Sequence, residues 1–147
     1  MGQVEHNLYL IKDGAVRAYY TSDEEELTIR FGYTDSIINS IKSFIDQRPS
    51  DLYIQALRKT EALVLPRSKY MEFIKSSPEM LNMHAEIMQQ LVLSMLEREM
   101  DLLTTSPQER YKRVLQRSPQ LFQHIPLKYI ASYLRMTPET LSRLRKS

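Results

Sequence analysis

The sequence predicts an α+β protein in which an antiparallel β-roll is followed by a long dimerisation helix and a C-terminal helix-turn-helix. Three observations predict this fold: short strand-like segments in the first half, an unbroken helical stretch in the middle, and two short amphipathic segments joined by a tight turn at the end. The predicted boundaries are residues 1–78 for the roll, 79–104 for the long helix and 105–147 for the helix-turn-helix domain.

The first half of the chain is a succession of short apolar or alternating segments separated by turn signals. Asp13-Gly14 is typical of a tight hairpin turn, and the acidic residues 23–26 mark another turn. Such a pattern predicts an antiparallel sandwich or roll. The predicted strands are residues 8–11, 15–20, 27–31, 53–57 and 62–65.

The hydrophobic period changes to that of a helix at Pro66. A short helix over residues 67–75 ends at Ser76, and Ser77-Pro78 provides an N-cap and a first-turn proline for the next helix. Nothing interrupts that helix for roughly 25 residues, or about 38 Å. Its apolar stripe favours pairing with a second copy of the chain, the alternative being packing on its own chain. The stripe residues are Met80, Ile87, Leu91 and Met95.

Charge is divided unevenly along the chain. Residues 1–104 carry eleven basic and sixteen acidic residues, whereas residues 105–147 carry nine basic and two acidic ones. This asymmetry indicates a polyanionic partner for the C-terminal segment, and the alternative is a solvated basic face without a partner. The absence of cysteine excludes disulfides, thiolate zinc sites and cysteine-held iron–sulfur clusters. No apolar run approaches ~18 residues and no signal-peptide pattern is present, so a cytoplasmic protein without membrane contact is expected.

Residues 127–144 have the spacing of a DNA-binding helix-turn-helix. Two short helices that cross steeply need a shared apolar core and a small residue at their closest approach, and Ala131 provides the latter. Thr137-Pro138-Glu139 supplies a cap, a first-turn proline and an acid for the second helix. The predicted core residues are Ile130, Leu134, Met136, Leu141 and Leu144.

If the second helix enters the major groove, its outward residues contact DNA. Arg143 suits guanine, Glu139 suits the amino group of cytosine, and Ser142 lies on the same face. For each residue the alternative is a solvated surface side chain. The predicted phosphate contacts are Lys128, Arg135, Thr137, Thr140, Arg145 and Lys146.

The run IPLKYIASYLRMTPETLSRLRK, together with residues 106–111 and LYLIKDGAVRAYY, resembles the Crp/Fnr family of regulators over nearly the whole chain. The resemblance implies a cyclic-nucleotide-binding β-roll, a homodimer through the long helix, and binding of double-stranded DNA at two-fold sites. It also implies a small-molecule effector that shifts the long helices, and RNA polymerase is a candidate further partner. The effector, the operator and the direction of regulation are not defined by the sequence.

Two departures from the family concern backbone structure. The chain begins almost at the LYLIKDG strand, so the roll is expected to be incomplete, with an unpaired sheet edge. Arg135 occupies a turn position where the family commonly has glycine. If that position is left-handed, the side chain costs about 1 kcal/mol.

A third departure concerns the nucleotide site. Family members that bind cyclic AMP carry a Gly-Glu pair that grips ribose and an Arg-Ser pair that binds phosphate. The corresponding pairs here are Asn39-Ser40 and Ser50-Asp51, and Asp51 repels a phosphate. We therefore expect no tight binding of cyclic AMP, no other cofactor, and a pocket that takes another effector or none. The predicted pocket residues are Asn39, Ser40, Arg48, Ser50 and Asp51.

Enzymatic activity is not expected. His6, His84 and His124 are far apart and lack ligand spacing, and no glycine-rich phosphate loop or metal site is present. His84 lies in the long helix and is expected to be structural. A competing hypothesis is a ligand-sensing or protein-interaction module whose vestigial head binds DNA only non-specifically.

Overall fold

The computed structural model describes residues 1–23 and 25–146, so Glu24 of the predicted acidic turn and the terminal Ser147 lie outside the described residues. The described strands are β1 (Asn7–Asp13), β2 (Ala15–Ser22), β3 (Glu25–Tyr33), β4 (Ile37–Ile38), β5 (Tyr53–Ala56) and β6 (Glu61–Pro66). They form two antiparallel sheets, in the orders β4-β1-β6 and β3-β2-β5. Each of the five predicted strands is confirmed.

Seven helices occur in the described residues, two in the roll and five after it. They are α1 (Ile41–Asp46), α2 (Arg67–Ile74), α3 (Pro78–Leu103), α4 (Pro107–Arg117), α5 (Leu121–His124), α6 (Leu127–Tyr133) and α7 (Pro138–Lys146). The predicted long helix and helix-turn-helix are therefore confirmed. Strand β4 and helix α1 were not predicted, because segments of two and six residues leave little hydrophobic period to detect.

The two sheets enclose a small apolar core, and the strands at the edges of each sheet have only one partner among the described residues. Ile11, Val16, Ala18 and Ile38 form this core. Strands β5 and β6 each have a partner on only one side among the described strands. The exposed side chains include Leu63 at 58% and Val64 at 55%. The expected open edge is thus present, and it leaves apolar surface uncovered.

Helix α3 starts where its capping residues predict. The Ser77 hydroxyl accepts a hydrogen bond from the Met80 amide at 3.3 Å, and Pro78 occupies the first turn. His84 pairs with the Tyr70 hydroxyl of α2 through Nδ1 at 2.7 Å, so this histidine has the structural role that the sequence predicted. One face of α3 is therefore attached to the roll.

The helix-turn-helix packs directly against the sheet β3-β2-β5. Its core residues share one apolar cluster with Ala15 of β2, and Tyr133 of α6 packs on Phe31 of β3 with ring centroids 5.4 Å apart. The Ser132 hydroxyl accepts from the Thr28 amide at 3.2 Å and donates to the Glu26 carbonyl at 3.0 Å. The sheet thereby holds the C-terminal helices in one orientation.

Arg17 on β2 shows how completely this sheet face is covered. Its side chain is 2% exposed and lies between two aromatic rings, 4.0 Å from the Tyr19 centroid and 4.3 Å from that of Tyr129. The guanidinium group also pairs with Glu26 and donates to Gln55. These contacts satisfy the buried charge, which would otherwise be costly.

Candidate nucleic-acid interface and effector cavities

The turn between α6 and α7 is a Schellman motif. Arg135 has a φ of +53°, the Met136 amide donates to the Ala131 carbonyl at 3.0 Å, and the Arg135 amide donates to the Ser132 carbonyl at 3.1 Å. Arg135 is thus left-handed, which is the condition under which the sequence analysis assigned this residue a cost of about 1 kcal/mol. It ends α6 sharply, which gives α7 a new direction.

Arg110 of α4 stabilises this turn by hydrogen bonds to its backbone carbonyls. Its Nη1 donates to the Leu134 carbonyl at 2.6 Å and to the Arg135 carbonyl at 3.3 Å, while Nε donates to the Thr104 carbonyl at 3.1 Å. Arg110 is 9% exposed, and its guanidinium group therefore satisfies the carbonyls of Leu134 and Arg135, which have no helical partner after the end of α6. The sequence analysis did not identify Arg110, because its carbonyl partners are not visible in a sequence pattern.

The two helices share the predicted miniature core. Ile130, Leu134 and Leu141 are fully buried and Ala131 is 1% exposed, while Met136 and Leu144 are half-buried. Helix α7 begins at Thr137, whose hydroxyl accepts from the Thr140 amide at 3.2 Å. With Leu141 directed inward, the opposite side of α7 faces solvent.

The predicted DNA contacts lie mostly on accessible surface. Glu139, Arg143, Arg145, Lys146 and Thr137 are exposed, as are Lys128 and Arg135, whereas Ser142 and Thr140 are half-buried. None of these basic side chains forms an ion pair with a described residue. The Lys128 ammonium group lies 4.6 Å from the Tyr129 ring centroid. These exposed basic side chains are therefore available to bind an anion.

Helix α3 contacts the helix-turn-helix through Arg98 and Asp101. The Arg98 guanidinium lies 3.6 Å from the Tyr133 ring centroid and donates to the Tyr133 carbonyl, and burial lowers the pKa of this arginine. Asp101 is fully buried and pairs with Arg113 and Arg117 of α4. These residues were missed, although charged residues within an apolar helix face are a sequence signal for buried pairing.

Two cavities flank the predicted effector segment. The inter-sheet cavity, of about 640 Å³, lies between the sheets and is lined by Ser40 and Ser50, whose hydroxyls are 2.7 Å apart. The α1–α3 cavity, of about 730 Å³, lies between the roll and helices α1, α2 and α3, and is lined by Asn39 and Arg30. Neighbouring residues 39 and 40 thus face different cavities.

The other two predicted effector residues lie away from these cavities. Arg48 and Asp51 are exposed, and neither lines a cavity described above. Asp51 pairs with Lys42 at 2.9 Å, and this hydrogen bond raises the pKa of the lysine. The five residues therefore do not form a single pocket.

Helix α3 carries two apolar faces. Met80 and Leu91 are half-buried on the side facing the roll, and Ile87, 40% exposed, lines the α1–α3 cavity. Of the four predicted dimer residues, Met95 lies on a second, outward face and is 49% exposed. That face follows a heptad spacing of three and four residues. Its exposed members are Leu81, Ala85, Val92, Met95, Glu99 and Leu102, and Met88, which is half-buried and lines the α1–α3 cavity, lies at the border between the two faces.

The fold therefore consists of a small roll and a long helix that carry a helix-turn-helix. The sequence profile of the cyclic nucleotide-binding domain matches residues 1–77, and the chain belongs to this family. No curated protein sequence is significantly similar to the chain.

Solved structures of Crp/Fnr regulators match nearly the whole chain, which confirms the predicted resemblance. The catabolite activator protein of Thermus thermophilus is 25% identical, with a TM-score of 0.54 over 99% of this chain and 70% of that one. FixK2 of Bradyrhizobium japonicum is 19% identical, with a TM-score of 0.79 over 99% of this chain and 76% of that one. A transcriptional regulator of Eubacterium rectale that is assigned to the Crp/Fnr family is 21% identical, with a TM-score of 0.62 over 98% of this chain and 69% of that one. In the part of the chain that the structure describes, no helix has the length and hydropathy to cross a membrane.

Proposed function

We propose that this chain is a homodimeric, sequence-specific DNA-binding transcription regulator whose α7 reads base edges in the major groove. The observation that carries the proposal is the accessible surface of α7, where Glu139 and Arg143 lie opposite the buried Leu141 and the half-buried Ser142 lies beside them. Lys128, Arg135, Thr137, Thr140, Arg145 and Lys146 flank this face and suit the phosphates on either side.

Replacing Arg143 by alanine tests the base-reading role. We expect a loss of about 1–3 kcal/mol on the preferred duplex and relaxed specificity at one base pair, because a bidentate arginine–guanine contact is lost. Fluorescence anisotropy on a panel of single-substituted duplexes measures both effects. Lys128→Ala is the matched control: it should weaken all duplexes alike and reduce the salt slope by about one. An unchanged specificity profile for Arg143→Ala contradicts the assignment.

Dimerisation through the outward face of α3 supplies the second copy that a two-fold operator requires. Apolar side chains exposed to about one half, such as Val92 at 55% and Met95 at 49%, are costly to leave in water. Burying these side chains against the same face of a second copy removes that cost. The heptad spacing of the face sets how the two α3 helices align with each other.

Substituting Val92 by glutamate tests this interface. Each dimer loses two valines, each worth about 1.5–3 kcal/mol when buried, so the dissociation constant should rise at least about a hundredfold. Sedimentation equilibrium measures the change. Leu93→Glu is the matched control, because Leu93 is equally exposed at 54% but lies about 100° around the helix. Equal effects of the two variants would refute the proposed interface.

The proposed regulator responds to an effector other than cyclic AMP. The inter-sheet cavity contains no lysine or arginine among its described lining residues and includes Glu5, so a phosphate lacks the bidentate arginine partner that suits it. The alternative function, a sensing module with a vestigial head, requires an α7 that makes no base contacts. The accessible face of α7 supports the regulator instead.

A further inference from the structure

The α1–α3 cavity combines apolar walls with two arginines. Its volume of about 730 Å³ falls within the ~300–1,000 Å³ typical of small-molecule sites. Side chains from the roll, from α1 and α2, and from α3 all contribute to its walls. The apolar residues that define them are Ile37, Ile41, Phe44, Ile74, Ile87 and Leu91.

Arg30 is a half-buried cation that lacks an anion. It projects from β3, burial lowers its pKa, and its side chain makes no hydrogen bond or ion pair with any described residue. Arg67 lines the same cavity, and its Nε donates to the Phe44 carbonyl at 2.9 Å. Glu86, the carboxylate in the described lining, is exposed and pairs with neither arginine. A partly desolvated guanidinium without a counter-charge is costly, so an anion is the complementary ligand.

We infer that the α1–α3 cavity binds an amphipathic carboxylate, with its apolar chain against these walls and its head on Arg30. A cyclic nucleotide fits less well, because its base and ribose need polar partners where this cavity presents mainly aliphatic and aromatic side chains. The inference rests on the proposed function, in which this ligand is the effector. Because Ile41 and Phe44 belong to α1 while Ile87 and Leu91 belong to α3, the ligand would contact both the roll and the dimer helix.

Carboxyl-labelled decanoate is a suitable probe, with decanol as its neutral analogue. We expect the ¹³C carboxyl resonance of decanoate to shift on titration with the full chain, and decanoate to bind at least about tenfold more tightly than decanol. Arg30→Met should remove this preference, a loss of about tenfold to a hundredfold for a charge-assisted hydrogen bond. Arg58→Met is the matched control, because Arg58 is exposed and lies outside both cavities.

Two further variants keep the test decisive if Arg30→Met folds poorly. Arg30→Lys retains the charge and should keep most of the preference for decanoate. Met71→Trp narrows the cavity from the α2 side and should weaken decanoate and decanol alike. Equal affinity of wild type for decanoate and decanol, displacement of decanoate by stoichiometric cyclic AMP, or no binding of decanoate would each overturn the inference.

The same protein preparations should also be tested for DNA binding. If the protein selects a specific DNA sequence but does not bind decanoate, the proposed ligand class is wrong and the proposed regulator function still holds. Decanoate binding without any operator refutes the proposed function instead.

Discussion

Leu141→Ala is expected to lower the free energy of unfolding by about 2–5 kcal/mol, because it leaves a cavity in a well-packed core. Leu141 is fully buried against Ile130, Ala131 and Leu134, and this cluster is continuous with the sheet through Ala15. The substitution therefore loosens both the two helices and their attachment to the roll. It should also weaken operator binding, because α7 loses its fixed direction.

Urea unfolding followed by circular dichroism measures this loss. Leu144→Ala is the matched control on the same helix, since Leu144 is only half-buried and its truncation should cost clearly less. An unchanged urea midpoint for Leu141→Ala would mean that α7 does not pack as described.

Asp101→Asn should destabilise the protein by about 1–3 kcal/mol. Asp101 is fully buried and accepts hydrogen bonds from Arg113 Nε at 3.1 Å and from both terminal nitrogens of Arg117. Removing its charge weakens the hydrogen bonds that this buried side chain accepts from two arginines, which are themselves 37% and 30% exposed. The same pairs connect α3 to α4, so the variant should also weaken the attachment of α4 to α3.

Glu97 provides the matched control for this experiment. It pairs with the same arginines, at 3.0 Å to Arg113 and 3.6 Å to Arg117, but its side chain is 54% exposed. Glu97→Gln should therefore cost no more than about 1 kcal/mol. Thermal unfolding of both variants at equal protein concentration separates the two cases. If Asp101→Asn and Glu97→Gln lower the free energy of unfolding by similar small amounts, the burial of Asp101 is contradicted.

The elements that could be predicted from the sequence are those encoded by local pattern. The caps at Ser77 and Thr137, the long apolar helix and the core of Ile130, Leu134 and Leu141 all depend on residues within a few turns of one another. The resemblance to the family placed Arg135 at a turn position where glycine is common, and the residue is left-handed in the structure. Each of these features appears in the structure.

The contacts between distant elements could not be predicted from the same patterns. Arg17 alternates with apolar neighbours like an outward-facing strand residue, yet α6 covers it from more than one hundred residues away. The residues of the two apolar faces of α3 alternate along the sequence. The pattern alone therefore could not distinguish the face with Met80, Ile87 and Leu91 from the outward face with Met95. Only the position of the roll shows which face is covered.

The effector residues were chosen by correspondence with a phosphate site rather than by geometry. Asn39 and Ser40 lie in the short bend between β4 and α1, and they line different cavities. Arg30 was missed because it lies on a strand outside that segment. Its importance depends on a missing counter-charge, which only a three-dimensional structure can show.

Selection of binding sites from random DNA duplexes with this protein tests the central claim most directly. We expect a palindromic consensus whose half-sites lie about one helical turn, or ~34–36 Å, apart, because two α7 helices related by a two-fold axis enter successive major grooves on one side of the duplex. Recovery of DNA with high affinity but no shared sequence would contradict the account, since it would mean that Arg143 and its neighbours bind phosphates without reading bases.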